Sequence, residues 1–224
     1  MINIDTVYQK VLVLANKEQR GYITPQEFNL FADQAQMEIF EQYFYDLNQL
    51  SRVHGNSEEY ADIKHNIQEK IAIFENTTSI SGTGQIMVPD LYRLGTVYAN
   101  NREIEEVQQN EILYINQSLL ARPTAERRVY VRIADNKILI YPTGLTSANC
   151  TYIKKPTKPS WGYVVVNGNA MYDSSNVTNF DLHFSEESEL VYKILKFAGV
   201  AMKRDDITRV GQGLETMQIQ QEKQ

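Results

Sequence analysis

Hydrophobic positions in the first third of the chain recur at intervals of three and four residues, which predicts amphipathic helices. A first helix lies near the N-terminus, a second and longer one runs to about His54, just before Gly55, and a third begins near Ser57. The apolar stripe of the second helix consists of Phe28, Phe31, Ala32, Ala35, Ile39, Tyr43, Leu47 and Leu50. Residues 1–76 are therefore predicted to form a helical bundle.

The stretch "ANKEQRGYITPQEFNLF", residues 15–31, has the glycine and glutamate spacing of a calcium-binding EF-hand loop. Arg20, however, falls at a position where calcium needs an oxygen ligand. Thr24, Pro25 and Glu27 together form the signature of a capping box with proline in the first helical turn. We therefore expect a helix to begin here and no calcium site.

Beyond Asn76 the hydrophobic period falls toward two, which is typical of short strands. The segment "NTTSISGTG" is predicted to be a loop. "GQIMVP", "LGTVYA" and "NREIEEV" are predicted strands, and "QQNEILYINQSLL" is a brief helix. "RRVYVRI", "KILIYP" and "NCTYIKK" are expected to form a meander, with Tyr130, Ile138, Ile140 and Tyr152 on its buried face. The segment "PTKPSWGYVVVNGN" is predicted to be a loop that leads out of this sheet, and Pro156 and Pro159 confine it to an edge or surface path. Residues 77–184 are thus predicted to be a small antiparallel β-rich insertion.

The last strong helical pattern covers residues 185–205 and begins with Ser185 as its expected cap. Its apolar stripe consists of Leu190, Val191, Ile194, Leu195, Ala198 and Met202. Such a face needs a partner, and the N-terminal helices offer one. The predicted fold class is therefore α+β: an N-terminal helical bundle completed by a C-terminal helix, with the β-rich region inserted between them.

Residues 206–224 form a C-terminal arm with a thin apolar stripe interrupted by two glycines. The stripe consists of Ile207, Val210, Leu214 and Met217. We expect this arm to be mobile in the free chain, because it has too little apolar surface to offset the entropy of ordering. Its helical spacing predicts that it folds on a partner.

Charge and composition narrow the function classes. The net charge of −6 argues against binding nucleic acid through a basic face. No apolar run approaches the length of a membrane span, so no membrane association is predicted. The single cysteine, Cys150, excludes an internal disulfide and is expected to be a packed residue of a strand. Fourteen tyrosines favour protein assembly, since tyrosine suits surfaces that are partly apolar and partly wet.

The sequence contains no recognisable catalytic, cofactor-binding or metal-binding motif. His54, His65 and His183 are scattered and interpreted as surface or capping residues. No catalytic residue, cofactor or metal ligand is therefore predicted, and we do not expect an enzyme. Trp161 with Tyr163 is either a stacking platform for a sugar or base, or part of the core or of a protein interface.

The layout, together with the segments "ILIYP", "TYIKKPTKPSWGY" and "SEESELVYKILKFAGVAMKRDD", resembles the head-to-tail connector proteins of tailed bacteriophages. It is similar in particular to the adaptor or ring proteins of short-tailed and crAss-like phages. The resemblance implies a noncatalytic virion protein, made in the bacterial host cytoplasm. It also implies a homo-oligomeric ring of about twelve copies below the portal. The expected partners are portal and tail proteins, with DNA passing through the channel without sequence-specific binding.

Two candidate functions remain. The first is the virion adaptor, for which the candidate interface residues are Lys154, Lys155, Trp161, Tyr163, Ile207, Val210, Leu214 and Met217. The alternative is a carbohydrate- or ligand-binding module that uses the β-rich region, with Trp161 and Tyr163 as its platform.

Overall fold

A computed structural model describes residues 1–16, 23–52, 58–81, 85–88, 90–144, 147–201 and 205–222. The chain divides into two compact units. The helical unit contains Met1–Ile73 and Pro156–Gln224, and the β unit contains Phe74–Lys155. Helices and mixed sheets occur together, so the predicted α+β class is confirmed.

The elements follow the chain in this order. The described helices are α1 (Ile4–Asn16), α2 (Pro25–Arg52), α3 (Glu58–Ala72), α4 (Glu111–Gln117), α5 (Glu187–Ala201) and α6 (Asp205–Glu222). The described strands are β1 (Glu75–Ser81), β2 (Gln85–Met87), β3 (Leu91–Ala99), β4 (Arg102–Glu103), β5 (Glu105–Glu106), β6 (Val129–Ala134), β7 (Lys137–Tyr141), β8 (Ser147–Lys154), β9 (Tyr163–Val166) and β10 (Asn169–Tyr172).

The predicted capping box starts α2. The Thr24 hydroxyl accepts a hydrogen bond from the Glu27 amide at 3.3 Å, and Glu27 accepts one from the Thr24 amide at 3.0 Å. The Thr24 hydroxyl also donates to the Glu27 carboxylate at 2.7 Å. These bonds hold the pKa of Glu27 below its ordinary value. The cap is confirmed, whereas residues 17–22 of the calcium-like stretch lie outside the described residues.

The core of the helical unit lies where α1 and α2 pack on α5, so the prediction that the C-terminal helix completes the bundle is confirmed. Its fully buried side chains include Ile4, Val7, Val11, Phe28, Ala32, Ala35, Ile39, Phe40, Leu190 and Ile194. Ser185 was wrongly predicted to be the cap. It lies inside a 3-10 turn, Phe184–Glu186, and the His183 side chain caps that turn instead.

The β unit consists of two four-stranded sheets, with strand orders β1-β8-β3-β4 and β2-β7-β6-β5. Both contribute to one hydrophobic cluster, which contains Tyr130, Ile138, Ile140, Tyr152 and Cys150. The predicted buried positions are therefore confirmed. Burial raises the pKa of the Cys150 thiol, against a smaller opposing effect of a backbone hydrogen bond at Thr78.

Two predictions about these sheets were wrong. Residues 76–81 of the segment assigned to a loop belong to β1, which pairs with β8 from Glu75 to Ser81, and residues 82–84 lie outside the described residues. The expected meander is interrupted after the β6–β7 hairpin, because β8 crosses to the other sheet and lies between β1 and β3. A Thr- and Ser-rich strand shows no hydrophobic alternation, so its pairing with a distant strand cannot be recognised locally.

The boundaries of the β-rich region differ from those expected, residues 77–184. The chain returns to the helical unit at Pro156, because the segment that follows is bonded to α2. Gln36 donates to the Thr157 carbonyl at 2.8 Å and accepts from the Asp181 amide at 3.0 Å. Pro156 and Pro159 are buried, which corrects their expected place on the surface.

Candidate assembly surfaces

The C-terminal arm is a helix that contacts α5, which contradicts the expectation that the arm is mobile in the free chain. Polar contacts hold it there. The Glu215 carboxylate of α6 accepts hydrogen bonds from Lys193 Nζ at 2.7 Å and from Lys196 Nζ at 2.9 Å. Lys193 also lies 3.4 Å from Glu189 on the same helix. The attachment was not predicted, because these partners meet only once the two helices are side by side.

Burial and pairing act in opposite directions on this cluster. Burial alone would raise the pKa of Glu215, but the hydrogen bonds and charges of Lys193 and Lys196 outweigh it and lower that pKa. Burial likewise opposes the charge of Lys193, whose pKa is nevertheless raised by Glu215 and Glu189. Both side chains are therefore ionised at neutral pH and fix the position of α6 on α5.

Gly211 allows the two helices to approach closely. A Cβ atom at this position would lie 3.1 Å from the Lys196 nitrogen and 3.2 Å from the Tyr192 carbonyl oxygen. By contrast, a Cβ atom at Gly213 would meet nothing within 4 Å. One of the two glycines that interrupt the predicted stripe is therefore a contact residue of α6.

The predicted apolar stripe of α6 faces largely away from its own chain. Val210 is 60% exposed and Met217 is 65% exposed, while Leu214 is half-buried. Ile207 lies in the same helix, but its side chain is outside the described part. The helix thus buries a charged residue, Glu215, and exposes apolar ones, the reverse of an ordinary surface helix. We call Val210, Leu214 and Met217 the α6 stripe.

A second exposed apolar surface is the hairpin formed by β9 and β10. Val164, Val165 and Val166 of β9 are all exposed, as are Met171 and Tyr172 of β10. The turn between the strands, Asn167-Gly168, has positive φ angles of 51° and 82°, as a tight two-residue hairpin requires. Sequence reasoning assigned this segment to a loop, although three consecutive valines before Asn-Gly are a hairpin signal.

Trp161 anchors the base of this hairpin and is 3% exposed. Its ring lies 6.0 Å from that of Tyr163 and 5.7 Å from that of Tyr172, and it contacts Tyr8 of α1 at 4.2 Å. Its indole N–H donates to the Asp5 carboxylate at 2.9 Å. Trp161 is therefore a core residue of the helical unit. Of the three interpretations of this side chain, the burial confirms that of a core residue, and it does not favour an interface residue or a sugar platform.

Lys154 and Lys155 lie at the end of β8, in the β unit. The Lys154 amide donates to the Phe74 carbonyl, and the Lys155 amide donates to the Asp90 carbonyl, each at 2.8 Å. Lys155 is exposed and Lys154 half-buried. Tyr163, Val210, Leu214 and Met217 belong to the helical unit, so the candidate interface residues are divided between the two units.

The β unit carries a further exposed apolar patch that sequence reasoning missed. Leu113 and Tyr114 project from α4, and Leu119 and Leu120 in the following turn are almost fully exposed. A leucine pair directly before "ARP" was interpreted as the end of a helix, and nothing in its spacing indicated exposure.

Within the described ranges, no group of three or more His, Cys, Asp or Glu side chains is placed to hold a metal ion. Of the helices described, none is both long and apolar enough to cross a membrane. No protein-family model matches the chain, and a search of curated proteins found no match.

Proposed function

We propose that this chain is a noncatalytic structural protein of a virion, a head-to-tail adaptor that forms a ring below the portal around the DNA channel. The observation that carries the proposal is the pattern of buried and exposed side chains on α6. The charged residue Glu215 is buried against α5, whereas Val210 and Met217 of the α6 stripe are exposed.

A helix of this kind suits docking into a groove of another protein. Its i, i+4, i+7 spacing, from Val210 through Leu214 to Met217, is the pattern by which helices enter apolar grooves. Full burial of a valine or methionine side chain is worth about 1.5–3 kcal/mol. The ion pairs with α5 hold the helix in place beforehand, so less ordering entropy opposes binding. The portal protein is the partner that the connector layout favours.

The same proposal assigns the other partners and the location. About twelve copies form the ring, as closed cyclic assemblies repeat one heterologous contact. Tail proteins bind the opposite side, and DNA passes through without sequence-specific contacts. A net charge of −6 suits the wall of a channel through which DNA must pass, because an acidic surface does not bind the DNA phosphates. The chain is made in the host cytoplasm and resides in the virion.

The alternative, a carbohydrate- or ligand-binding module, depended on Trp161 and Tyr163 as a stacking platform. Trp161 is buried, and its ring is already stacked on that of Tyr163 and tilted against that of Tyr172. No specific observation therefore favours this alternative.

The chain offers a matched pair of variants for the test. Val210 of the α6 stripe is 60% exposed, and Val200 of α5 is 61% exposed. We expect Val210→Asp to abolish co-sedimentation with the portal protein encoded in the same genome, because a carboxylate would be buried in the groove. Val200→Asp should bind as the unaltered chain does. Circular dichroism should be unchanged in both. Equal binding by the two variants would refute the proposal that the α6 stripe docks on the portal protein.

A further inference from the structure

The β9–β10 hairpin has two free edges. Among the described residues, these strands pair only with each other. In a hairpin closed by a two-residue turn, the pair beside the turn is hydrogen-bonded and the pairs then alternate. The register matches Val166 with Asn169 and Val164 with Met171, and the Asp173 amide donates to the Gly162 carbonyl at 2.9 Å.

This register determines which backbone groups point away from the hairpin. The pairs Val165 with Ala170 and Tyr163 with Tyr172 are the non-hydrogen-bonded ones. Their N–H and C=O groups therefore face outward, on the β9 edge at Tyr163 and Val165 and on the β10 edge at Ala170 and Tyr172. The two edges are equal in length and offer the same number of donors and acceptors.

Nothing in the hairpin protects these edges. Proteins usually block exposed edges with charged side chains, proline or a bulge. Residues 162–172, "GYVVVNGNAMY", contain no charge and no proline, and the β9–β10 register is continuous. An exposed apolar edge of this kind pairs readily with another strand.

We infer that the hairpin is the contact between copies of this chain, with the β9 edge of one copy paired to the β10 edge of the next. The matched edges favour a second copy, because every chain carries both a β9 edge and a β10 edge of equal length. The net charge of −6 makes two copies repel each other, but residues 162–172 are uncharged, so a contact at the hairpin places no like charges side by side. A β9-to-β10 contact leaves one edge free at each end, so copies add until a ring closes. The inference thus rests on the ring of the proposed function and deepens it.

Two proline variants test the inference, because each removes an outward N–H that the hairpin itself does not use. Val165→Pro blocks the β9 edge and Ala170→Pro blocks the β10 edge. In sedimentation velocity without portal, the unaltered chain and Val200→Asp should form multimers, and each proline variant alone should remain monomeric. An equimolar mixture should form a complex of two copies and no larger species, since only one compatible pair of edges remains.

Folding is checked by the fluorescence of Trp161, the single tryptophan, which contacts the base of the hairpin. An unchanged emission spectrum shows that the hairpin persists. The inference is overturned if the unaltered chain is monomeric at its highest soluble concentration, if both proline variants associate normally, or if the mixture stays monomeric. Association of Ala170→Pro alone would indicate β9-to-β9 pairing and also overturn it. Val210→Asp should still associate, so failure of portal attachment and failure of this contact are separate results.

Discussion

Replacing Glu215 with glutamine should release α6 from α5 more often, because it removes the negative charge that two lysines share. Lys193 is the decisive partner, since it is 4% exposed and its ammonium group would remain buried. Removing one partner of a buried ion pair typically costs 3–5 kcal/mol.

The expected magnitude in this structure is smaller. Glu189 remains 3.4 Å from Lys193 and still neutralises it, and the glutamine carbonyl can still accept a hydrogen bond. The Lys196 side chain is 31% exposed, so its pair with Glu215 contributes no more than about 1 kcal/mol. We therefore expect Glu215→Gln to lower the free energy of opening α6 by about 2 kcal/mol.

Native-state hydrogen exchange measures this opening directly. A loss of 2 kcal/mol corresponds to amide exchange in α6 that is about thirtyfold faster, whereas the amides of α2 should keep their rates. Glu41→Gln, at an exposed position of α2, serves as the control and should leave α6 unchanged. Equal rates in Glu215→Gln and the unaltered chain would refute the claim that this carboxylate holds the arm.

Further predictions concern the caps, the core and the helix contact. Thr24→Ala should cost about 1 kcal/mol of unfolding free energy in urea titrations, equally with calcium and with chelator, through the lost cap. Leu195→Ala should destabilise the helical unit by roughly 2–5 kcal/mol in the same assay, since Leu195 is buried. Gly211→Ala should accelerate exchange in α6 by forcing the helices apart, whereas Gly213→Ala, with open space around it, should stabilise the helix by about 0.5–1 kcal/mol. Lowering the pH should also loosen α6. The contribution of Glu215 is complete above its ordinary pKa of 4.5 and is lost as pH falls through the lowered folded value, so the protection of α6 amides from exchange should be smaller well below pH 4.5 than at pH 7.

The elements that the sequence predicted well are those whose signals are local. The capping box at Thr24 and the apolar stripe of α5 need only neighbouring residues to be recognised. The predictions that were wrong concern elements whose structure depends on residues that are distant in the sequence. Strand β1 is defined by its pairing with β8, and Trp161 is buried because Tyr8 and Asp5 of α1 reach it.

The candidate surfaces also combine features that local spacing predicts with features that depend on packing. The spacing of Val210, Leu214 and Met217 identified an apolar stripe, but only the structure places Glu215 on the face that contacts α5. Exposure of the β9–β10 hairpin could not be predicted either, because a run of valines is more typical of a buried strand. Periodicity locates a face along an element, whereas packing decides whether that face is covered.

The most direct test of the proposed adaptor function is electron microscopy of the purified chain, alone and mixed with the portal protein encoded in the same genome. The account predicts closed rings of one size and a layer of added density on one end of the portal. The Val210→Asp variant should form the rings but add no density to the portal. A chain that neither closes into rings nor adds density to the portal would contradict the account.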